Sequence, residues 1–458
     1  MYKFEHETFV DENIENTFSW FEHEGSFRRL MPPWEVLKEV RADESIEEGA
    51  IRIFEIPFGP LKMKWVAKHT VYNPPNQFKD IMLKGPFWRW EHVHDFIPKN
   101  NGTLVKDSVE YQVPFGAFGY LFAGRSVRKR IKNMFISREL RLIRDLENHK
   151  KFRSEKRKKI LIAGSSGMIG TQLVAFFDTG GHDVWRLVRR EAKPNSNEIK
   201  WDPENDILDS REIEGFDAII HLGGAGIGDK RWTKKRKDLI QKSREKTTTL
   251  LSDTICKLDK KPEVFLIASA IGFYGNRGDE ELTEESEPGE GFLTETVLAW
   301  EKYANSAKNA GVRVINIRTG IVLSATGGAL NRMLLPWKLG GGGSIGGGKQ
   351  WMSWISLDDQ IYAINHLIMK KECSGPYNLT SINPVRQKEF SRTLGRVLWR
   401  PAFAPIPKFP MKILFGELAG PLLFEGQRVL PDRLMKSGFK FTHENLEDAL
   451  RDCLGKWR

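Results

Sequence analysis

Cysteine is scarce in this chain: only Cys256, Cys373 and Cys453, with no paired spacing. That excludes a disulfide framework and a cysteine-based structural zinc, and it points to a reducing compartment. No run of about 18 apolar residues occurs, so no membrane span is expected. The opening Met1–His6 lacks an apolar export core, and the expectation is a cytoplasmic protein. No metal site is assigned. His92 and His94 alternate with apolar residues along a strand, where a histidine is ordinarily a packing or surface residue. Acid is short relative to base, with 60 Asp and Glu against 71 Lys and Arg, a net charge of +11. Such an excess can signal nucleic acid. Here the basic residues gather at 125–132 and 150–159, the second cluster just where two domains would meet. No aromatic stacking platform accompanies them, so they read as solvated linker and no nucleic-acid partner is expected.

What is present is organised around residues 158–177. Ile160–Ala163 is a short apolar run that reads as a buried parallel strand. Gly164-Ser165-Ser166-Gly167-Met168-Ile169-Gly170 is a glycine turn, and Thr171–Phe177 opens a helix. Strand, glycine turn and helix in that order form a dinucleotide-binding fingerprint. The first glycine permits the tight turn, the second the approach of a pyrophosphate, the third the packing of helix on strand. The phosphates would then rest on free amides at a helix N-terminus. The second strand, Asp183–Val188, ends in Arg189-Arg190 rather than in a carboxylate. A carboxylate there would hold ribose hydroxyls, whereas a guanidinium accepts a 2′-phosphate, so NADP is expected over NAD. Asp217–His221 reads as a further strand running into the small turn Leu222-Gly223-Gly224, against which a cofactor can lie.

The segment before the fingerprint, residues 1–150, is long enough for its own domain. An alternating first strand, short helices near 13–27, strand-like runs at 50–56, 62–72, 78–83, 88–98 and 103–113, and a long helix at 126–149 succeed one another. This order, with words such as Gly85-Pro86-Phe87-Trp88-Arg89-Trp90, resembles the helix-grip fold of the polyketide cyclase/START-like (SRPBCC) ligand-binding superfamily. The resemblance implies a cavity between sheet and last helix, lined by aromatics such as Phe54, Phe58, Trp65, Trp90 and Phe96, and an apolar ligand.

The GxxGxxG spacing resembles the extended branch of the short-chain dehydrogenase/reductase superfamily. Further words, among them Gly272-Phe273-Tyr274-Gly275-Asn276, Arg318-Thr319-Gly320-Ile321-Val322-Leu323 and Gln350-Trp351-Met352-Ser353-Trp354, resemble epimerase-family proteins of the SDR39U1/YfcH type. That resemblance implies cofactor contacts at the glycine turn, Arg189, Leu222, Gly223, Arg244 and Leu323. It also implies a small C-terminal cap (DUF1731 type). The superfamily's fifth strand ends in a serine that helps to polarise a carbonyl. Here that is Ser269, closely followed by Tyr274, and these two are the candidate catalytic residues. The usual partner pair is absent: none of the eight tyrosines has a lysine four residues later. Glu301 or water is left to supply a proton relay.

The expected organisation is therefore α/β. A helix-grip domain (1–150) and a basic linker (151–157) precede a doubly wound Rossmann domain (158–380) and a helical cap (381–458). A glycine-rich stretch, 339–348, is expected to form a mobile loop at the substrate cleft. The expected function is that of an NADP-dependent oxidoreductase or epimerase-like enzyme acting on an unidentified small molecule. The alternative is a non-catalytic NADP(H)-binding sensor.

Overall fold

The computed structural model describes all residues except Val36, Glu44, Gly59, Pro60 and Arg458, with the backbone alone at Ala42, Pro57, Phe58, Leu61, Ala117 and Phe118. The Phe58 ring and the tip of the turn at 57–60 thus lie outside the described residues. The chain forms two compact units. One comprises Met1–Lys156 with Ala175–Gly181 and Trp457, the other Arg157–Val174 with His182–Lys456.

The first unit is an antiparallel sheet with helices. Its strands are β1 (Tyr2–Val10), β2 (Lys38–Ala42), β3 (Ile51–Phe58), β4 (Leu61–Asn73), β5 (Gln77–Lys84), β6 (Arg89–Lys99) and β7 (Gly102–Gln112). Its helices are α1 (Ile14–Glu22), α2 (Gly25–Leu30) and α3 (Gly116–Lys150). The sheet order β1-β7-β6-β5-β4-β3-β2 is a meander, with β1 returned beside the last strand. Alternation of buried and less buried residues over 89–97 of β6 and 103–112 of β7 marks the face turned to the core. Two clusters fill that core. One gathers Phe18, Phe21, Phe78, Phe96, Val105, Leu142 and Leu146, and the other Trp90, Val109, Tyr111, Ile131 and Phe135. Helix α3 starts ten residues before the expected Ser126. Phe115 takes a left-handed conformation (φ 63°) and turns the chain directly from β7 into the helix. The first of these turns leaves Leu121 and Phe122 exposed, so no buried stripe announces it in the sequence. A buried ion pair ties α2 to α3: Arg29 donates to both oxygens of Asp145, at 2.7 and 2.6 Å.

The second unit is a doubly wound parallel sheet. Its first elements are β8 (Lys159–Ala163), α4 (Met168–Thr179), β9 (Asp183–Val188), β10 (Glu198–Lys200), β11 (Ala218–His221), α5 (Lys234–Lys257) and β12 (Val264–Ala270). There follow β13 (Glu281–Leu282), α6 (Phe292–Lys302), α7 (Asn305–Asn309), β14 (Arg313–Thr319), β15 (Ile321–Leu323) and α8 (Gly328–Lys338). The chain continues through β16 (Trp351–Met352), β17 (Trp354–Ser356), α9 (Leu357–Met369), β18 (Gly375–Leu379), β19 (Val385–Arg386) and α10 (Gln387–Leu398). It closes with α11 (Lys408–Phe415), β20 (Arg428–Val429), α12 (Asp432–Lys436) and α13 (Leu446–Leu454). The main sheet runs β10-β9-β8-β11-β12-β14-β18, with every pair parallel. Near-continuous burial of β8, β11 and β12 is what helices on both faces require. Chain order reverses between β8 and β11, so the crevice beyond their carboxyl ends is the topological switch point where such sheets bind ligands.

The stretch 339–348 is not a loose loop. A methyl on Gly343 would stand 1.6 Å from the Ala404 carbonyl oxygen, and that backbone approach is what requires glycine. Ser391 Oγ donates to the Gly343 carbonyl (2.8 Å), and the Ile345 amide donates to Gln387 Oε1 (2.9 Å). Gly342, Gly343 and Ile345 are buried against α10 and its neighbours, whereas Leu339, Gly341 and Gly347 are exposed. No helix among the described residues is long and apolar enough to cross a membrane.

Candidate cofactor site and active site

The glycine turn has the geometry its spacing implies, with the three glycines doing different work. Gly164 sits at φ 84°, and a methyl there would reach 2.9 Å from the Leu222 carbonyl carbon. Gly170 lies over the same turn, where a methyl would stand 2.2 Å from the Gly164 carbonyl oxygen. Gly167 is exposed, and a methyl there would meet only the Gly164 carbonyl oxygen, at 3.3 Å. The face left bare is thus the one that a pyrophosphate would need. The turn is braced from within by Gly167 N–H to Gly164 O (3.1 Å) and Thr171 Oγ1 to Ser165 O (3.2 Å). Ser165, Ser166, Met168 and Ile169 surround the first turn of α4, whose leading amides have no intrahelical acceptors. Gly170→Ala has no flexible neighbour to displace. It is expected to abolish dinucleotide binding by calorimetry while circular dichroism stays close to that of the unmodified chain.

The other expected contacts fall on two sides of this turn. Leu222 donates its amide to the Ala163 carbonyl (2.9 Å), which seats Leu222, Gly223 and Gly224 beside the turn. His221 beneath them is fully buried, and burial first, then Arg244, pushes its pKa down to about 3. The ring is therefore neutral. Its Nε2 meets Thr247 Oγ1 at 3.0 Å, and its Nδ1 accepts the Gly223 amide at 3.4 Å. Arg244 lies under Gly224, only 6% exposed, with Nη1 donating to the carbonyls of Ala225 and Ile240 and its plane over Trp300 at 4.6 Å. Burial, with Arg236 close by, lowers its pKa to about 10. Its Nε has no hydrogen-bond acceptor among the described residues, so a buried cation here retains an unused donor. Leu323 is buried on β15, and the segment after it brings Gly327 against Met168, where a methyl would stand 2.9 Å from the Met168 sulfur. That second wall of the turn was missed in the sequence, since nothing local marks a glycine pair as facing a residue some 160 positions earlier.

The two arginines at the tip of β9 separate. Arg190 is committed: it donates to both oxygens of Glu198 and to the Glu191 carbonyl. The Arg190 hydrogen bond is the main reason why the Glu198 carboxyl is lowered to about 2. Arg189 is exposed and makes no hydrogen bond or ion pair among the described residues.

The candidate catalytic pair is brought together, but in a closed network. Ser269 Oγ, at 4% exposure, donates to Glu301 Oε1 at 2.6 Å. Arg318 grips the same carboxylate with Nε and Nη2, at 2.9 and 3.0 Å. Arg318 Nη1 also donates to the Tyr274 hydroxyl (3.1 Å), which in turn donates to Asn378 Oδ1 (2.7 Å). Tyr274 is fully buried, and burial raises its pKa to about 12. Its proton and the proton of Ser269 both point into protein acceptors. Both hydroxyls are thus engaged within the protein. In this arrangement they hold the end of β12 against β14 and β18, and Glu301 is a clamped acceptor instead of an open relay. Arg318 and Asn378 are the members that sequence reasoning did not assign.

Comparison with known proteins bears on this geometry. Residues 160–380 match the NAD dependent epimerase/dehydratase family. An epimerase family protein of Mycobacterium bovis is 39% identical over 291 residues, 96% of its own length and 64% of this chain. This chain belongs to the epimerase family. Bacillus subtilis YfhF, also an epimerase family protein, is 36% identical over 299 residues, 97% of its length and 64% of this chain. Residues 20–138 match polyketide cyclase / dehydrase and lipid transport proteins, and 406–453 match a domain of unknown function, DUF1731. A solved nucleoside-diphosphate sugar epimerase from Corynebacterium glutamicum aligns over 99% of this chain and 90% of its own, with a TM-score of 0.82 and 31% identity. Human epimerase family protein SDR39U1, solved with NADPH, aligns over 65% of this chain and 99% of its own (TM-score 0.59, 30% identity). MoeE5, solved with UDP-glucuronic acid and NAD, shares the fold at 18% identity and a TM-score of 0.52.

Proposed function

We propose that this epimerase-family chain binds NADP(H) and acts as an oxidoreductase or epimerase-like enzyme on a small molecule. In this reading residues 1–150 form a domain for an apolar ligand and 381–458 a cap. The observation that carries the proposal is Arg189. The guanidinium at the end of β9 is free, where an NAD-preferring site would carry an acidic group. Its neighbour Arg190 is neutralised by Glu198. The residues fit a dinucleotide: Gly167 leaves an open cradle at the N-terminus of α4, and Arg244 has a buried unpartnered donor beneath Gly224. When bound, the cofactor would supply hydride chemistry. Gly164–Gly170 would hold its pyrophosphate and Arg189 a 2′-phosphate, while Leu222, Gly223 and Leu323 would line its path. Ser269 and Tyr274 serve as positioning residues below the reacting centre. Calorimetry on the intact chain tests the cofactor: NADPH is expected to bind about tenfold or more tighter than NADH. Arg189→Ala should erase that preference and Arg190→Ala should not. Heat with neither dinucleotide would remove the proposal, and equal or tighter binding of NADH would overturn the choice of cofactor.

The buried Tyr274 hydroxyl, together with the missing tyrosine–lysine pair, favours a second reading: a sensor that binds NADP(H) without turning it over. Loss of NADPH absorbance on addition of carbonyl compounds would eliminate the sensor reading.

A further inference from the structure

The first unit carries a polar belt through an otherwise apolar core, and strand register builds it. His6 lies opposite Asp107, Asp107 opposite His94, Asp80 opposite His92, and His69 opposite Asp80. Cross-strand partners share a face, and so do residues two apart on one strand. The belt therefore crosses β1, β7, β6, β5 and β4 on the side turned to α3. It separates the cluster of Phe78, Phe96 and Val105 from that of Trp90, Val109 and Tyr111. His92, His94 and Asp107 are 4%, 2% and 7% exposed, in positions where an apolar side chain would be less costly. Burial of ionisable groups at such a density is characteristic of sites with a task.

The nitrogens are sorted. His92 Nε2 and His94 Nδ1 both approach Asp107 Oδ1, at 3.0 and 2.7 Å, the second off the line of a good hydrogen bond. Their other nitrogens, His92 Nδ1 and His94 Nε2, look toward Asp80 Oδ2 at 3.6 and 3.9 Å, too far for hydrogen bonds. Asp80, His92 and His94 each offer a ligand atom, and these atoms lie within 4.8 Å of one another. Ligand atoms held about 2.0–2.2 Å from a metal stand roughly 3–3.6 Å apart, so small side-chain movements close the set. Two imidazoles and one carboxylate on one side, with a carboxylate behind the imidazoles, is the arrangement that orients metal-ligating histidines.

We infer that the helix-grip unit binds one divalent first-row transition metal through Asp80, His92 and His94, with Asp107 holding both imidazoles from behind. Three neighbours bear on the site, the first being Arg52 on β3, a buried cation whose charge acts on Asp80. Arg138 on α3 is close enough for its charge to act on both carboxylates, offsetting one of their two. His69 stands opposite Asp80 with a buried Nδ1 that has no hydrogen-bond partner among the described residues, next in line as a further ligand. The inference does not depend on the dinucleotide site, and its test reads a different unit.

The test is titration of the intact, chelator-stripped chain with Co²⁺, followed by visible absorbance and calorimetry. One equivalent is expected to bind, with ligand-field bands of nitrogen and oxygen ligation that one equivalent of Zn²⁺ displaces. No thiolate charge-transfer band should appear, because Cys256, Cys373 and Cys453 all lie in the second unit. Asp80→Asn and His94→Gln should each weaken binding at least about tenfold, and Asp107→Asn by about 10–100-fold with the stoichiometry kept. No saturable binding, a thiolate band, or an affinity unchanged in Asp80→Asn would overturn the site. If His94→Gln loses its native circular dichroism, the Co²⁺ spectrum of the unmodified chain and its displacement by Zn²⁺ decide alone.

Discussion

Replacing Glu301 by alanine is expected to destabilise the dinucleotide-binding unit by about 3–5 kcal/mol. The reason is what it leaves behind. Arg318 is 4% exposed, and Glu301 is the carboxylate that both Nε and Nη2 address. Without it a guanidinium stays buried between Phe273, at 3.4 Å from the ring centre, and the Tyr274 hydroxyl. Ser269 loses its acceptor at the same time. Glu301→Gln keeps the volume and one acceptor oxygen, so it should cost clearly less. Ser269→Ala removes a single hydrogen bond and should cost about 0.5–1.5 kcal/mol. Urea denaturation of the three variants gives the ranking. A Glu301→Ala variant within about 1 kcal/mol of the unmodified chain would mean that the clamp on Arg318 is not formed. The same ranking bears on function. A residue that acts by holding β12 should change stability and turnover together, whereas an open proton relay would lose turnover alone.

The fold was legible where its causes are local. Ile160–Ala163, the glycine turn and the helix after it are adjacent in the chain, and the six expected strands of the first unit each match an observed one within two residues at either end. The misses share a physical origin. β2 is short and lies at the sheet edge, so it carries little alternation. The start of α3 exposes its apolar residues and contains glycines, so propensity argued against a helix that backbone geometry at Phe115 allows. The run 339–348 was read as mobile from composition, although close approach of two backbones demands glycine just as flexibility does.

The site was legible in part for the same reason. Arg189 and Arg190 are equivalent in a list of residues. What separates them is Glu198, brought alongside by the pairing of β10 with β9. Tyr274 looks like a cleft residue beside Ser269, but it is buried, and its hydroxyl donates to Asn378, 104 positions later. The belt at Asp80, His92, His94 and Asp107 shows only as two alternating histidines until register puts a carboxylate across from each. Register is a tertiary fact, and one sequence contains no direct record of it.

Raising the pH from 6 to 10 is expected to remove about 3 kcal/mol from the second unit through one residue, His443. Burial alone would lower its pKa, but the carboxylates of Asp359 and Asp452 outweigh burial and raise it from 6.5 to about 9. Its Nε2 lies 2.9 Å from Asp452, and its Nδ1 lies 3.1 Å from Ser356 Oγ and 3.6 Å from Asp359. Asp359 is fully buried at the start of α9 and also accepts the amides of Thr442 and His443. The imidazolium therefore sits between two anionic groups that anchor the segment leading to α13. Because the folded state holds the proton more tightly than the unfolded chain, the stabilisation is complete below about pH 6.5. It drains away as pH climbs through 9, at about 1.4 kcal/mol for each pH unit of the gap. Denaturation midpoints followed over this range should fall for the unmodified chain and lie nearly level for His443→Gln. That variant should already be less stable at pH 6, since Asp359 and Asp452 then lose their shared cation. Parallel curves for the two proteins would show that His443 is neutral in the fold and that the C-terminal segment is held by packing and the Asp359 amide bonds alone.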